Sequence, residues 1–229
     1  MKKPVINIEV VSDVVCPWCY IGKRRMEKAV NQLKDQFDFT ITYSPFELNP
    51  NIPEEGLDQK AYLSKKFGSD ERYQQITQNV TRTAAQEGLH FDFSKQNVSP
   101  NTREAHRIIW LAKQEGVQLA AKEAFMKAYF EGGVDLSKKE NLIAVAESVG
   151  LDAKKVKSLL DSDEGTSEVT LSESVNSQRG ISGVPFYIIN NKYGFSGAQP
   201  TDVFVNALKE IGSMDSASGE VCDVEKQEC

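Results

Sequence analysis

The chain has 229 residues, 40% hydrophobic and 26% charged, with a formal net charge of −6. That is a globular composition, long enough for one large domain or two small ones. The acidic balance offers no basic surface for nucleic acid or an anionic membrane, and no apolar stretch reaches the roughly 18 residues of a membrane span.

The opening residues briefly look like a charged leader, but Asn7 and Glu9 interrupt the apolar run and no small-residue cleavage site follows. Val5 to Val11 therefore reads as a core strand, and the protein is expected to be cytoplasmic. After Cys16-Pro17-Trp18-Cys19, residues Met26, Val30, Leu33 and Phe37 follow at helical spacing. Phe37, Phe39, Ile41 and Tyr43 then alternate with polar residues, a strand with one buried face.

From about Leu57 to Arg179 nearly everything reads helical. Tyr73, Ile76, Val80 and Ala84 share one face before a stop at Gly88. Ala105, Ile108, Leu111 and Ala112 mark a helix over 101–115, closed by Gly116. Another spans Leu119 to Phe130 and ends at Gly132-Gly133, with Tyr129 and Phe130 assigned to the core. Ser137 to Glu140 has the pattern of a capping box before Leu142 to Val149. Asp152 caps a short helix carrying Val156, Leu159 and Leu160, and a weaker helix covers Glu164 to Gln178.

Strand character returns at Pro185 to Ile189. Asn190-Asn191 forms a turn, Tyr193 to Ser196 the return strand, and about Pro200 to Ile211 a final helix. The polar residues from Ser213 onward are expected to be mobile. An α/β layer (1–50 with 180–212) is thus interrupted by an inserted α-helical domain (51–179) and followed by a tail (213–229).

The chemistry concentrates at Cys16 and Cys19. Two thiols three positions apart close and reopen a small disulfide, and a CxxC between a strand and a helix is where a thioredoxin-like redox site belongs. Backbone N–H groups and the dipole at a helix N-terminus favour an anion there, and the thiolate is the reactive form. Pro17 suits the first helical turn because its missing N–H needs no helical partner. Trp18 offers a substrate an apolar face. A CxxC also serves as half of a zinc knuckle, with Cys222 and Cys229 supplying two more sulfurs, but the long gap between that pair weighs against it. Glu220, Asp223, Glu225 and Glu228 surround the tail cysteines and disfavour their thiolates. A flexible tail of this length reaches roughly 20–25 Å, so Cys222 and Cys229 are candidates for a second redox pair exchanging with Cys16 and Cys19; two idle thiols is an equal reading. Lys23, Arg24 and Arg25 read as a solvated helix face lending positive potential to the thiols.

A split layer with a helical insertion, together with Ser12-Asp13-Val14-Val15-Cys16-Pro17-Trp18-Cys19-Tyr20-Ile21-Gly22-Lys23, Asn101 to Arg107, Ala124 to Phe130, Gly180 to Phe186 and Ser196 to Gln199, resembles the DsbA family of the thioredoxin-like superfamily, and within it the FrnE-type branch. The resemblance covers about residues 5–212. It implies a thioredoxin-like α/β fold with a large α-helical insertion, and a thiol–disulfide oxidoreductase or disulfide isomerase acting on protein or small thiol substrates. It implies no cofactor beyond the redox disulfide, with glutathione as a co-substrate, and no metal. Cys16 would attack and Cys19, one turn further in and more buried, would resolve. Pro185 would be cis, with Val184 beside the CxxC offering its backbone to an extended substrate. Asn101 and His106 would lie near the cleft, although a hydrogen-bonded structural histidine is the commoner use. DsbA-type oxidants commonly carry His where Trp18 stands, so the Cys16 thiol is expected within the roughly 3.5–7.5 range of activated cysteines but not at its bottom, making a milder oxidant. The related 2-hydroxychromene-2-carboxylate isomerases share the fold and use glutathione, but have serine at the position of Cys16. A redox-linked chaperone using the same cleft is a third reading.

Overall fold

A computed structural model describes residues 3–218, with side chains through residue 214. Cys222 and Cys229, and with them the expected second redox pair, lie outside the described residues.

Four strands form one sheet in the order β2-β1-β5-β6: β1 (Val5–Ser12), β2 (Asp38–Pro45), β5 (Phe186–Ile189) and β6 (Tyr193–Ser196). β1 pairs parallel with β2 and antiparallel with β5, and β5 pairs antiparallel with β6. The β5–β6 hairpin turns through Asn190 and Asn191, both with positive φ (51° and 55°), as a tight two-residue turn requires. A second, two-stranded sheet joins β3 (Leu57–Asp58) to β4 (Val98–Ser99), an element the helical pattern of that region hides.

Helix α1 (Pro17–Leu33) is shared by two cores. Met26, Ala29 and Leu33 pack with Ile6, Ile8, Val10 and Tyr187 on the sheet and with Phe204 and Leu208 of α9 (Thr201–Ser218). Tyr20 and Ile21 face the other way, into the core of the insertion. There Tyr20 stacks on Phe91 at 5.7 Å, and Phe91 on Phe130 at 4.6 Å, so Tyr129 and Phe130 are core residues. Such ring pairs contribute about 0.5–1.5 kcal/mol each beyond area burial.

The insertion supplies α2 (Gln59–Phe67), α3 (Asp70–Gln86), α4 (Arg103–Gln114), α5 (Gln118–Phe130), α6 (Lys139–Glu147), α7 (Ala153–Leu160) and α8 (Thr166–Gln178). Asp152 caps α7 as its sequence suggests, accepting from Lys154 N and Lys155 N. Ser137 does not form the expected capping box: its Oγ and N both bond Asp135 Oδ1, and α6 begins after Lys138 without a side-chain cap. Helices α5 and α8 cover the open edge of β2. The Gln118 amide accepts from Tyr43 N (3.0 Å) and donates to Tyr43 O (2.9 Å), standing in for a missing strand.

Two expectations are corrected. Lys23-Arg24-Arg25 is not a solvated face. Lys23 is buried and pairs with Glu27 and Glu123, Arg24 pairs with Glu123, and Arg25 pairs with Glu87 while donating to Ala198 O. Glu27 lies on α1 itself, but Glu123, Glu87 and Ala198 come from α5, the end of α3 and the loop before α9, so the basic run fastens α1 rather than charging the solvent. The final helix also runs past Gly212 to Ser218, so residues 213–218 belong to α9 rather than to the tail. Gly212 is not a stop but a close contact: a Cβ there would lie 2.4 Å from the Phe37 ring.

Candidate active site

β1 ends at Ser12, and the turn through Asp13-Val14-Val15 delivers Cys16 as the N-cap of α1, with Pro17 at the first helical position. Cys16 O accepts from Cys19 N (3.0 Å), closing the turn that holds the two thiols together. Both are free thiols. They are equally buried, 3% and 2% exposed, so the expectation that Cys16 is the more open of the two is corrected. The cover over Cys16 is the loop before β5. The Val184–Pro185 peptide is cis, and the Cys16 thiol donates to Val184 O at 3.7 Å. Trp18 remains 42% exposed beside this covered pair.

The two sulfurs titrate as a pair. Its hydrogen bond with Cys19 and then burial push the Cys16 thiol well up. Burial alone would also raise Cys19, but the hydrogen bond from Cys16 and the charge of Lys122 outweigh it and bring the Cys19 thiol below its ordinary value. The pair therefore gives up one proton readily and holds the second, because a second thiolate would sit against the first. The expectation of a lowered Cys16 thiol is therefore corrected for this dithiol arrangement: the hydrogen bond with Cys19 and burial raise it, and the lowered thiol is Cys19.

Behind the pair lies a buried polar group that no motif announces. Lys122, on α5, is 1% exposed, donates to Ser12 O at 3.1 Å and lies 5.6 Å from the Tyr43 ring centroid. Asp13 is fully buried; it accepts from Leu48 N (2.8 Å) and meets His106 Nε2 at 3.3 Å. Burial would raise the Asp13 carboxyl, but His106, Leu48 and Lys122 together hold it low. His106 is therefore a buried partner of the loop that carries the CxxC. Asn101 caps the start of α4 through Arg103 N and spends its amide on Ile52 O. The signal for Lys122 was its spacing: Phe125, Met126 and Tyr129 follow at three, four and seven positions, which puts a lysine on the buried stripe of α5. Among the described residues no group of three or more His, Cys, Asp or Glu side chains could hold a metal, and no helix is long and apolar enough to cross a membrane.

The chain is similar to known proteins over almost its whole length. A crystal structure from Streptomyces coelicolor, a probable DsbA oxidoreductase, SCO1869, superposes with a TM-score of 0.83 at 32% identity, covering 98% of this chain and 94% of that one. The uncharacterized protein YwbO of Bacillus subtilis is 27% identical over 207 residues, 90% of this chain and 96% of its own length. A more distant fold relative is the cytosolic disulfide reductase DsbM of Pseudomonas aeruginosa, solved with GSH (TM-score 0.59, 12% identity, covering 94% of this chain and all of that one). The DSBA-like thioredoxin domain matches residues 7–209, which span both halves of the sheet, the CxxC, the cis-proline loop and the insertion between them, and the chain belongs to that family.

Proposed function

We propose that this protein is a thiol–disulfide oxidoreductase of the FrnE-type branch, exchanging disulfides with protein or small thiol substrates through Cys16 and Cys19. The observation that carries the reading is the contact between two free thiols at the start of α1 and the Val184-Pro185 loop, with the Cys16 sulfur 3.7 Å from Val184 O. A substrate sulfur approaching Cys16 must displace that carbonyl contact, which puts the substrate backbone beside Val184. Cys16 passes its proton to Cys19 across the hydrogen bond between them, and the Cys16 thiolate attacks one sulfur of the substrate disulfide, breaking that S–S bond, forming a mixed disulfide and releasing the other substrate sulfur as a thiolate. Cys19 then displaces the substrate as a thiolate and leaves Cys16–Cys19 oxidised; the reverse sequence oxidises a dithiol. Trp18 supplies no cation to the thiolate, which favours a milder oxidant than relatives with histidine at that place. Glutathione fits as the small co-substrate; it is the molecule present in the DsbM structure. A relay to Cys222 and Cys229 belongs to the same proposal.

Equilibrating the protein in glutathione buffers of graded potential and counting oxidised cysteines by mass tests the reading. Cys16 and Cys19 are expected to pair in the wild type, Cys19→Ser to trap glutathione on Cys16, and Cys16→Ser to lose exchange. A Cys16–Cys19 pair that forms at no potential refutes it. Glutathione-dependent isomerase activity that survives Cys16→Ser would point to the isomerase class, and holdase activity without exchange to a chaperone.

A further inference from the structure

A cavity of about 270 Å³ lies between β2 and helices α4, α5 and α8, and neither Cys16 nor Cys19 lines it. Its size stands just below the usual range of small-molecule sites, so it suits a body of about one ring and not a nucleotide or a long acyl chain. Exposed Lys113 and Glu168 and half-buried Trp110 stand at its outer part, and buried Ile109, Val169 and Lys122 at its inner part. The inner walls from α4 and α8 are therefore apolar, and α5 brings a lysine against them.

That lysine lacks a counter-charge of its own. Lys122 is 1% exposed, and among the described residues it forms no ion pair and one hydrogen bond, to Ser12 O at 3.1 Å. An ammonium carries three donors, so two remain for an acceptor in the space beside it, and buried donors are ordinarily satisfied. Burial lowers this ammonium to about 8, while Cys19, Asp13 and Cys16 act in the other direction, so at pH 7 it is mainly charged. A buried cation without a partner is costly, and an anion beside it offsets that cost. The neighbouring charges limit what the anion can be. Asp13 is already engaged by His106 Nε2 at 3.3 Å and Leu48 N at 2.8 Å, and Glu9, which also lines the cavity, pairs with Arg179. Among the described residues no arginine lines the cavity. A dianion such as phosphate would therefore leave negative charge buried beside a single ammonium and close to Asp13, whereas a monoanion is matched.

We infer that this cavity is a binding site for a small monocarboxylate with an apolar body, its carboxylate accepting hydrogen bonds from the Lys122 ammonium and its body lying against Ile109, Val169 and Trp110. Lys113 and Glu168 set one charge of each sign at the entrance, so the selection for an anion falls to Lys122. The site goes beyond the exchange reaction and does not rest on it, because no sulfur takes part in the binding. It exists only because the insertion folds back on the layer, which brings Lys122 to Ser12 across 110 positions of sequence.

Trp18 and Trp110 are the two tryptophans of the chain, so Trp18→Phe leaves Trp110, in the cavity wall, as the sole indole reporter. Cyclohexanecarboxylate is the probe, since it does not absorb where indole is excited. Titrated into Trp18→Phe at pH 7, it is expected to change the Trp110 emission saturably, and the neutral cyclohexanecarboxamide to bind about tenfold more weakly or worse. In the same background, Lys122→Met should weaken the carboxylate about tenfold or more, as the loss of a hydrogen bond to a charged group does, and leave the amide within about threefold. Val169→Phe, which fills the space and keeps the charge, should abolish both responses. Equal affinity for acid and amide in Trp18→Phe overturns the inference, as does the absence of a saturable response, and neither result needs a substitution inside the cavity to fold. A carboxylate response that survives Lys122→Met or Val169→Phe places the probe elsewhere and overturns it as well.

Discussion

Gly22 and Tyr187 bring the two halves of the site into contact, and a double-mutant cycle measures that contact. Gly22 lies one turn beyond Cys19 on α1, and Tyr187 two residues beyond Pro185 on β5. A Cβ at Gly22 would lie 2.4 Å from Tyr187 Oη, where a carbon–oxygen contact normally stands at about 3.3 Å or more. Tyr187 cannot swing away: it is fully buried, stacked on Phe195 at 5.2 Å and edge-on to Phe204 at 4.8 Å. Overpacking of this kind costs about 1–3 kcal/mol, and so tight a site belongs in the upper half of that range. Replacing Gly by Ala inside a helix returns about 1 kcal/mol. Gly22→Ala should therefore lose a net of about 1–2 kcal/mol, lowering Tm by roughly 2–8 °C for a chain of this size. The Tyr187 hydroxyl is buried and makes no hydrogen bond among the described residues, so Tyr187→Phe should be neutral or stabilising. The double variant removes the clashing atom and keeps the helix gain, so it should melt at or above the wild type, with a coupling energy of about 2–3 kcal/mol. Thermal and urea unfolding of the reduced protein, followed by circular dichroism, give all four values. A coupling below about 0.5 kcal/mol would refute the contact. A marked loss in Tyr187→Phe alone would mean that the hydroxyl holds a hydrogen bond through water.

Three further outcomes follow from named contacts. Burial would raise the Glu123 carboxyl, but Arg24, Lys23 and Tyr20 hold it at about 2 against an ordinary 4.5. Its folded-state value is depressed, so its stabilisation is complete above about 4.5 and is lost as the pH falls toward 2; Glu123→Gln should flatten the unfolding free energy against pH in that window. Arg107 is buried and donates to the carbonyls of Leu159, Ser162 and Glu164, holding the turn between α7 and α8. Arg107→Met strands those acceptors and should cost about 2–4 kcal/mol in urea unfolding; a loss below about 0.5 kcal/mol would show that the turn does not depend on them. For the tail, Cys222→Ser with Cys229→Ser should shift the population of oxidised Cys16–Cys19 at a fixed glutathione potential if the relay operates, and an unchanged titration by mass would remove the relay from the proposal.

How much of the site was legible in sequence depended on how local its cause was. The β5–β6 hairpin was readable because Asn190 and Asn191 tolerate positive φ, and the Asp152 cap because a carboxylate two residues before Lys154 can reach its N–H. The Ser137 capping box failed under an equally local competitor, since Asp135 offered the same serine a nearer acceptor. Lys23 and Lys122 were misjudged or unmarked because the burial of a charge is decided by partners elsewhere in the chain. Lys23 is held by Glu123, and Lys122 by Ser12 and the charges of Asp13 and Cys19. Lysine on an amphipathic helix ordinarily faces water, and only a packed neighbour can reverse that.

The sequence by itself determined that two thiols stand at the mouth of a helix following a strand, and that a helical block splits the layer containing them. Both are consequences of residue spacing, which periodicity expresses directly. Only the tertiary structure decided that Cys16 is covered as fully as Cys19, with Val184 O against its sulfur, and that Lys122, Asp13 and His106 lie behind the pair. Those relations join residues about 90 to 170 positions apart. They arise when the insertion packs back onto α1 and β2; burial raises both sulfurs alike, and their different protonation behaviour comes from the hydrogen bond between them, with the charge of Lys122 favouring Cys19.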